Sequence, residues 1–284
     1  MGHTNTSLTT GLSVARRFTL AGLLALILSA AVAAQTAAVS PAKEAQADNE
    51  YQTGAVLWTQ SGAETRALRY QAFTLARFVF DRDLRVNRRL RRKRAIVVDV
   101  DETVLDNSPY QAELILKNLP YTEASWTAWC ERAEANALPG AVDFLRYAAS
   151  RGARIFYVTN RRQNVKEATM RNLKQKGFPD VGEQTVLVRT DGSTKEPRRR
   201  QISERYRILL LMGDNLADFS DIFEGKTTEA RATAVDETRN KFGAQFIVLP
   251  NPMYGDWESA VYGYDFKLSE EEKAARRKAA LKSQ

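Results

Sequence analysis

Five short apolar runs punctuate the chain, at 95–100, 154–158, 186–188, 208–212 and 246–249, each built from residues such as Val, Ile, Leu and Phe and bounded by charged or turn-forming residues. Runs of this length with little polar alternation predict strands covered on both faces. Between them, apolar residues recur at helical spacing. The stretch 54–84, with Val56, Leu57, Leu68, Ala72, Leu75, Phe78 and Val79, predicts one or two helices. A helix opened by Pro139 and stopped by Gly152 follows, then one over 164–176 stopped by Gly177, and two more over 197–206 and 229–242. Short helices rich in Trp and Tyr are expected between 108 and 134, with Pro120 as a break, and the charged segment 269–282 reads as a surface helix or as frayed chain. Strands alternating with helices predict an α/β fold: a Rossmann-like parallel sheet flanked by helices.

The first 34 residues depart from this pattern. Arg16 and Arg17 precede an apolar stretch from Phe18 to Val32, and Ala31-Val32-Ala33 supplies small residues for cleavage. Residues 1–34 therefore read as a signal peptide, the alternative being a membrane anchor, for which the apolar run falls short of the ~20 residues that span a bilayer. The paired arginines leave twin-arginine export open, although Phe18-Thr19-Leu20 fits general secretion better. Residues 35–50 are small and polar, a flexible leader. The expected location is periplasmic or secreted.

Composition then narrows the chemistry. The one histidine is His3, within the presumed signal, so the mature chain has no histidine for a Ser-His-Asp or Cys-His site or for a zinc ligand. The one cysteine, Cys130, follows Trp126 and Trp129 and reads as a packed thiol. Loss of the signal lowers the formal net charge from +8 to +6. Much of that charge lies in the run 85–94, which is either a basic surface for nucleic acid or membrane or a solvated helix end; no aromatic residue interleaves it for base stacking.

Carboxylates must then carry the chemistry. The strand at 95–100 ends in Asp99-Val100-Asp101, placing two acids two positions apart where an open α/β sheet binds ligands. Their repulsion calls for a cation, and hard divalent ions take carboxylate oxygens. Three other places suit the same ligand. Thr159 and Asn160 follow the second strand, good donors to phosphate oxygens; taken alone, Thr159 reads rather as a helix N-cap. Lys195 lies in the loop before Pro197, where a lone lysine is otherwise a surface charge. Asp214 and Asp218 follow the strand at 208–212, and a helix starting there would put both on one face, as ligands or as partners of the helix dipole.

In this order, the segments Asp99-Val100-Asp101-Glu102-Thr103, Tyr157-Val158-Thr159-Asn160-Arg161, Lys195 and Gly213-Asp214-Asn215-Leu216 resemble the haloacid dehalogenase (HAD) superfamily. With Ala55-Val56-Leu57-Trp58-Thr59-Gln60-Ser61, Leu105-Asp106-Asn107-Ser108, Pro139-Gly140-Ala141 and Leu249-Pro250-Asn251-Pro252-Met253-Tyr254-Gly255-Asp256-Trp257, they resemble more closely the class C acid phosphatases, the bacterial outer-membrane acid phosphatase and 5′-nucleotidase family. The likeness covers about residues 50–267. One departure is the lack of a lipid-accepting cysteine after the apolar run, so no stable membrane anchor is expected after cleavage.

The resemblance implies a HAD-like domain over 51–268 with a small, mainly helical cap drawn from about 51–85 and 107–138, and a charged tail over 269–284. It implies a Mg²⁺-dependent acid phosphatase acting on small phosphate monoesters, 5′-nucleotides among them, through an aspartyl-phosphate. Asp99 would be the nucleophile and Asp101 the general acid and base. Mg²⁺ would be held by the Asp99 and Asp214 carboxylates and the Asp101 backbone carbonyl. Thr159, Asn160 and Lys195 would bind phosphate, and Asp218 would orient metal waters or Lys195. Glu102 and Thr103 are expected to stabilise the turn. Tyr110 and Tyr254 would sandwich a base, or else pack the cap. Nucleic acid is not an expected partner, and family members often form homodimers. A binder built on the basic run 85–94, or an inactive HAD-fold protein, are the competing readings.

Overall fold

A computed structural model describes residues 49–89 and 92–283, so the expected signal and nearly all of the 35–50 leader lie outside the described residues. Helices α1 (Thr53–Ser61) and α2 (Ala63–Val86) lead into β1 (Arg94–Val98). An insertion follows: β2 (Leu105–Asp106), α3 (Ser108–Lys117), α4 (Glu123–Arg132) and β3 (Asn136–Ala137). The chain continues through α5 (Ala141–Ser150), β4 (Arg154–Arg162), α6 (Lys166–Gln175), β5 (Val186–Arg189), α7 (Glu196–Arg205) and β6 (Arg207–Gly213). It ends with α8 (Thr228–Glu237), β7 (Phe246–Val248), α9 (Asp256–Val261) and α10 (Glu270–Ala279).

The main sheet runs β5-β4-β1-β6-β7, and every pairing in it is parallel. Alternation along the strands divides the core. Ile96, Val98, Ile155, Tyr157, Leu210 and Met212 face α2, α5 and α6, whereas Ala95, Val97, Phe156, Val158 and Leu211 pack with Ile202, Phe219, Phe223 and Ala234 on the other side. Both faces are covered, as the unbroken apolar runs require. The chain leaves β1 toward β4 and β5 and returns to β6, so the order reverses beside β1 and opens a crevice at the strands' carboxyl ends.

In two places the elements depart from the sequence reading. The helices at 54–84 form, but α2 buries Arg69, Ala72, Phe73, Ala76, Phe80 and Asp83, leaving Leu68, Leu75 and Phe78 exposed. It packs on β6, β7 and α5, so α2 lies in the layer on the sheet and not in a cap above it. The helical material near the crevice comes from α1, which packs on α3, and from the insertion rooted by the antiparallel pairs Leu105–Ala137 and Asp106–Asn136. Second, β4 does not end at Val158 but runs to Arg162, which removes Thr159 from any helix N-cap. At the C-terminus α10 is a surface helix held by Arg276 and Arg277, which donate to the Tyr262 carbonyl and hydroxyl at 2.7 Å each.

Candidate active site

Asp99 stands one residue beyond β1, its N–H still donating to the Met212 carbonyl of β6 at 2.9 Å, and Asp214 follows directly after β6. Adjacent parallel strands thus deliver two carboxylates to one edge. Asp218 joins them by a different route from the helix expected. Asn215 caps a single 3₁₀ turn, Leu216–Asp218, and Asp218 folds back so that its Oδ2 accepts the Asn215 N–H at 3.0 Å. Gly213 makes room for it: a Cβ there would lie 2.4 Å from that of Asp218. One carboxylate oxygen from each of Asp99, Asp214 and Asp218 lies within 4.8 Å of the others.

Lys195 closes this cluster. Its Nζ donates to Asp99 Oδ1 and, at 2.6 Å, to Asp218 Oδ1, and all three side chains are buried. Lys195 is the N-cap of α7, with Arg198 and Arg199 in the first turn. Cations at a helix N-terminus oppose its dipole, so helix stability does not account for this placement. The arginines brace the edge instead: Arg198 donates to the Thr159 carbonyl at 2.6 Å and to Asn160 Oδ1 at 2.8 Å, and Arg199 to the carbonyls of Ala217 and Asp218. Burial works against the charge on Lys195, but Asp218 and Asp99 outweigh it and hold the ammonium above the ordinary lysine range. Burial, aided by Asp218 and Asp101, pushes Asp99 up to about 7 despite Lys195. Burial and the charges of Asp218 and Asp99 likewise raise Asp214 well above a normal carboxylate. Three acids, Asp99 and Asp218 buried and Asp214 half-buried, against one lysine form a hard-oxygen set short of positive charge, which fits a divalent cation.

The carboxylate of Asp101 turns away from this cluster. Arg161 Nε and NH2 donate to its Oδ1 at 2.9 and 2.8 Å, Asn107 Nδ2 donates to the same atom at 2.9 Å, and Thr159 Oγ1 donates to Oδ2 at 3.3 Å. Any ligand role of Asp101 in the three-acid cluster would therefore fall to its main chain. Glu102, in the left-handed region at φ 56, braces the turn: it accepts the Asn107 N–H at 2.8 Å and the Tyr254 hydroxyl. Thr103 donates to Asp214 Oδ1 at 3.2 Å, and Asn251 to Asp214 Oδ2 at 2.8 Å.

Asp99, Asp101, Thr159, Lys195, Asp214 and Asp218 are thus linked at one edge, with Asn160 at its exposed rim. Tyr110 is not among them. It is 2% exposed, donates to or accepts from Ser125, and its ring is enclosed by Tyr121, Trp126 and Trp129. No ring face remains for a base, so the expected Tyr110–Tyr254 sandwich does not form; Tyr110 packs the cap. Cys130 is buried as expected, and burial pushes its thiol up to about 12. The sequence reading missed Asn107, Arg161, Arg198 and Asn251 as functional. The available signal for Arg161 was its place two residues after Thr159 on a strand that continues, which puts both on one face.

A family model described as HAD superfamily, subfamily IIIB (Acid phosphatase), matches residues 18–257. The structure of the class C acid phosphatase from Bacillus anthracis is similar at a TM-score of 0.80 and 42% identity, over 83% of this chain and 98% of that one. The crystal structure of the same phosphatase with tungstate bound matches to the same extent. Acid phosphatase 1 of Solanum lycopersicum is 26% identical over 165 residues, 56% of this chain and 57% of that protein, so the match spans little more than half of the tomato relative's length. The stem 28 kDa glycoprotein of Glycine max is 25% identical over 221 residues, 75% of each chain.

Proposed function

This chain belongs to subfamily IIIB, the acid phosphatases, of the HAD superfamily, and from that premise we propose that it hydrolyses small phosphate monoesters, with 5′-nucleotides as a substrate class and Mg²⁺ as its metal. The observation that carries the reading is the buried contact of Lys195 with both Asp99 and Asp218 beside Asp214. Asp99 is the nucleophile: its carboxylate oxygen attacks phosphorus, and the P–O bond to the leaving alkoxide breaks. Asp101 gives that alkoxide a proton, then takes one from the water that cleaves the aspartyl-phosphate and releases phosphate. Lys195, Thr159 and Asn160 hold phosphoryl oxygens, and Asp218 keeps Lys195 on Asp99. Mg²⁺ would be held by Asp99, Asp214 and the Asp101 main chain; when bound, it offsets the repulsion between carboxylate and phosphate. Export to the periplasm or outside the cell is part of the proposal and rests on the sequence of residues 1–34.

The test is turnover of p-nitrophenyl phosphate and nucleoside 5′-monophosphates by the mature protein, with Mg²⁺ and with chelator. Chelation should remove activity and Mg²⁺ restore it. Asp99→Asn should cut turnover on the order of 10⁴-fold or more while nucleotide binding persists. Full activity in that variant, or none in metal-loaded wild type, overturns the proposal.

Of the two tyrosines, Tyr254 is the one left partly exposed, its hydroxyl tied to Glu102, the residue after Asp101, which supports the reading that follows. We assign it base stacking. Tyr254→Phe keeps the ring and should hold most of the preference for AMP over an aryl phosphate, whereas Tyr254→Ala should lose it. Equal losses on both substrates in the alanine variant would show that the ring only packs.

A further inference from the structure

The contacts of the half-buried Asp101 go beyond what a turn needs. Its Oδ1 accepts three donors: Arg161 Nε, Arg161 NH2 and Asn107 Nδ2, at 2.9, 2.8 and 2.9 Å. Its Oδ2 accepts one, Thr159 Oγ1, at 3.3 Å. The two oxygens are therefore inequivalent. Oδ1 has its lone pairs spoken for by charge-assisted bonds, and a proton there would face three donors. Oδ2 is the oxygen left for a proton.

The group that imposes this inequivalence is itself held from behind. Arg161 is 2% exposed; NH1 donates to Thr169 Oγ1 at 3.2 Å, NH2 also reaches Asn107 Oδ1 at 3.2 Å, and the guanidinium lies 5.4 Å over the Trp126 ring. Asn107 is fully buried. Trp129 Nε1 donates to its Oδ1 at 2.8 Å, which fixes the amide so that Nδ2 points at Asp101. With Nε, NH1 and NH2 all engaged inside the protein, Arg161 does not reach a bound phosphate; it acts through Asp101.

We propose that Arg161 and Asn107, locked by Trp129, are positioning residues that hold Asp101 by Oδ1 and so make Oδ2 the oxygen that delivers the proton to the leaving group. This rests on the phosphatase reading, with Asp101 as general acid. In the first step the proton leaves Oδ2 for the ester oxygen as the P–O bond breaks and Asp99 bonds to phosphorus; in the second, Oδ2 takes a proton from the attacking water. The clamp is built jointly by β4, the start of α3 and α4, so the cap helices take part in the chemistry without touching substrate.

The experiment is a series of monoesters from p-nitrophenyl phosphate to an alkyl phosphate, compared by kcat/KM, which reports the first phosphoryl transfer. A leaving group of low pKa needs little protonation and one of high pKa needs it fully, so misplacing the acid tilts the series, whereas general damage lowers every member alike. For Arg161→Lys the alkyl ester is expected to lose about 10-fold or more beyond any loss on p-nitrophenyl phosphate. Trp129→Phe keeps an aromatic ring in the cap while removing the N–H that fixes Asn107 together with part of the indole, and should show a smaller tilt in the same direction; because lost packing alone would lower every ester alike, it decides the matter if Arg161→Lys does not fold. Parallel losses across the series in a folded variant overturn the proposal while leaving the phosphatase reading intact. A wild type without monoesterase activity overturns the phosphatase reading instead.

Discussion

Gly213 is the residue on which the geometry of the acid cluster most directly depends. A Cβ at this position would lie 2.2 Å from Asp218 Oδ2 and 2.6 Å from its Cγ, so the absent side chain is what seats the carboxylate against Lys195. Gly213→Ala is therefore expected to push Asp218 off Nζ, to destabilise the protein by about 1–3 kcal/mol as overpacking does, and to lower turnover by more than that loss of stability explains. Gly54 in α1 has nothing within 4 Å of its would-be Cβ and supplies the control. Thermal unfolding and monoester turnover of Gly213→Ala beside Gly54→Ala check this, and equal behaviour of the two would refute it. The dependence of a carboxylate on a glycine five residues back is not written in residue types. The acids themselves were legible, because two carboxylates at the end of an apolar run are conspicuous. Lys195 was legible only through the order of the segments around it, since a lone lysine before a proline carries no signal of burial. Tyr110 shows the opposite error: an aromatic in a cap is as suited to packing as to binding, and three aromatic neighbours brought from elsewhere in the sequence chose packing.

At the scale of elements, Asp83 ties α2 to the amino-terminal edge of the sheet. It accepts Arg94 Nε of β1 and Arg207 NH2 of β6, each at 2.5 Å, and Asn87 at 2.5 Å, with its side chain 6% exposed. Burial would raise its pKa, but the bonds from Arg94, Asn87 and Arg207 outweigh burial and hold it below the ordinary aspartate value. A carboxyl lower in the folded than in the unfolded chain stabilises above the unfolded pKa of about 3.9 and loses that stabilisation as pH falls through the folded value. Asp83→Asn is thus expected to cost about 1.5–3 kcal/mol at neutral pH. The gap from wild type should close below about pH 4. Urea unfolding at pH 7 and at pH 3 measures it, and an equal gap at both would refute the assignment. The same helix shows where periodicity runs out. Its sequence carries two apolar stripes of similar strength: the one with Ala72, Phe73, Ala76 and Phe80 is buried, and the one with Leu68, Leu75 and Phe78 faces outward, a choice that spacing alone does not make. The end of β4 was hidden for a related reason. Thr-Asn-Arg-Arg looks like the end of a strand by composition, and β4 continues because Arg161 finds Asp101 and Asn107 to pair with, partners separated from it by 60 and 54 positions.

The polarity of the whole sheet decides what the basic character of the chain means for the site. All main-sheet strands run the same way, so β1 begins at Arg94 and delivers Asp99 at its far end, about 16 Å away for five residues at the usual rise. The described residues of the basic run, Arg85, Arg88, Arg89, Arg92 and Lys93, are exposed at the Arg94 end, whereas Leu90 and Arg91 lie outside the described residues. Charges in water separated by more than the roughly 8–10 Å Debye length at physiological salt are largely screened from one another. On the proposed mechanism the cations that meet the anionic ester are then the local ones, Lys195 above all, and the distant charge of the basic run adds little to the reaction. Reversing two of the distant charges, Arg88→Glu with Arg89→Glu, should leave kcat/KM on p-nitrophenyl phosphate within about two-fold at 0.15 M salt, since only screened, long-range attraction is altered. A tenfold fall in the folded variant would mean that the field of the basic run reaches the opposite edge of the sheet. The double variant also separates the phosphatase from the competing reading of a nucleic-acid or membrane binder, because that reading makes these same arginines the working surface and leaves the buried acids at the other edge without a task.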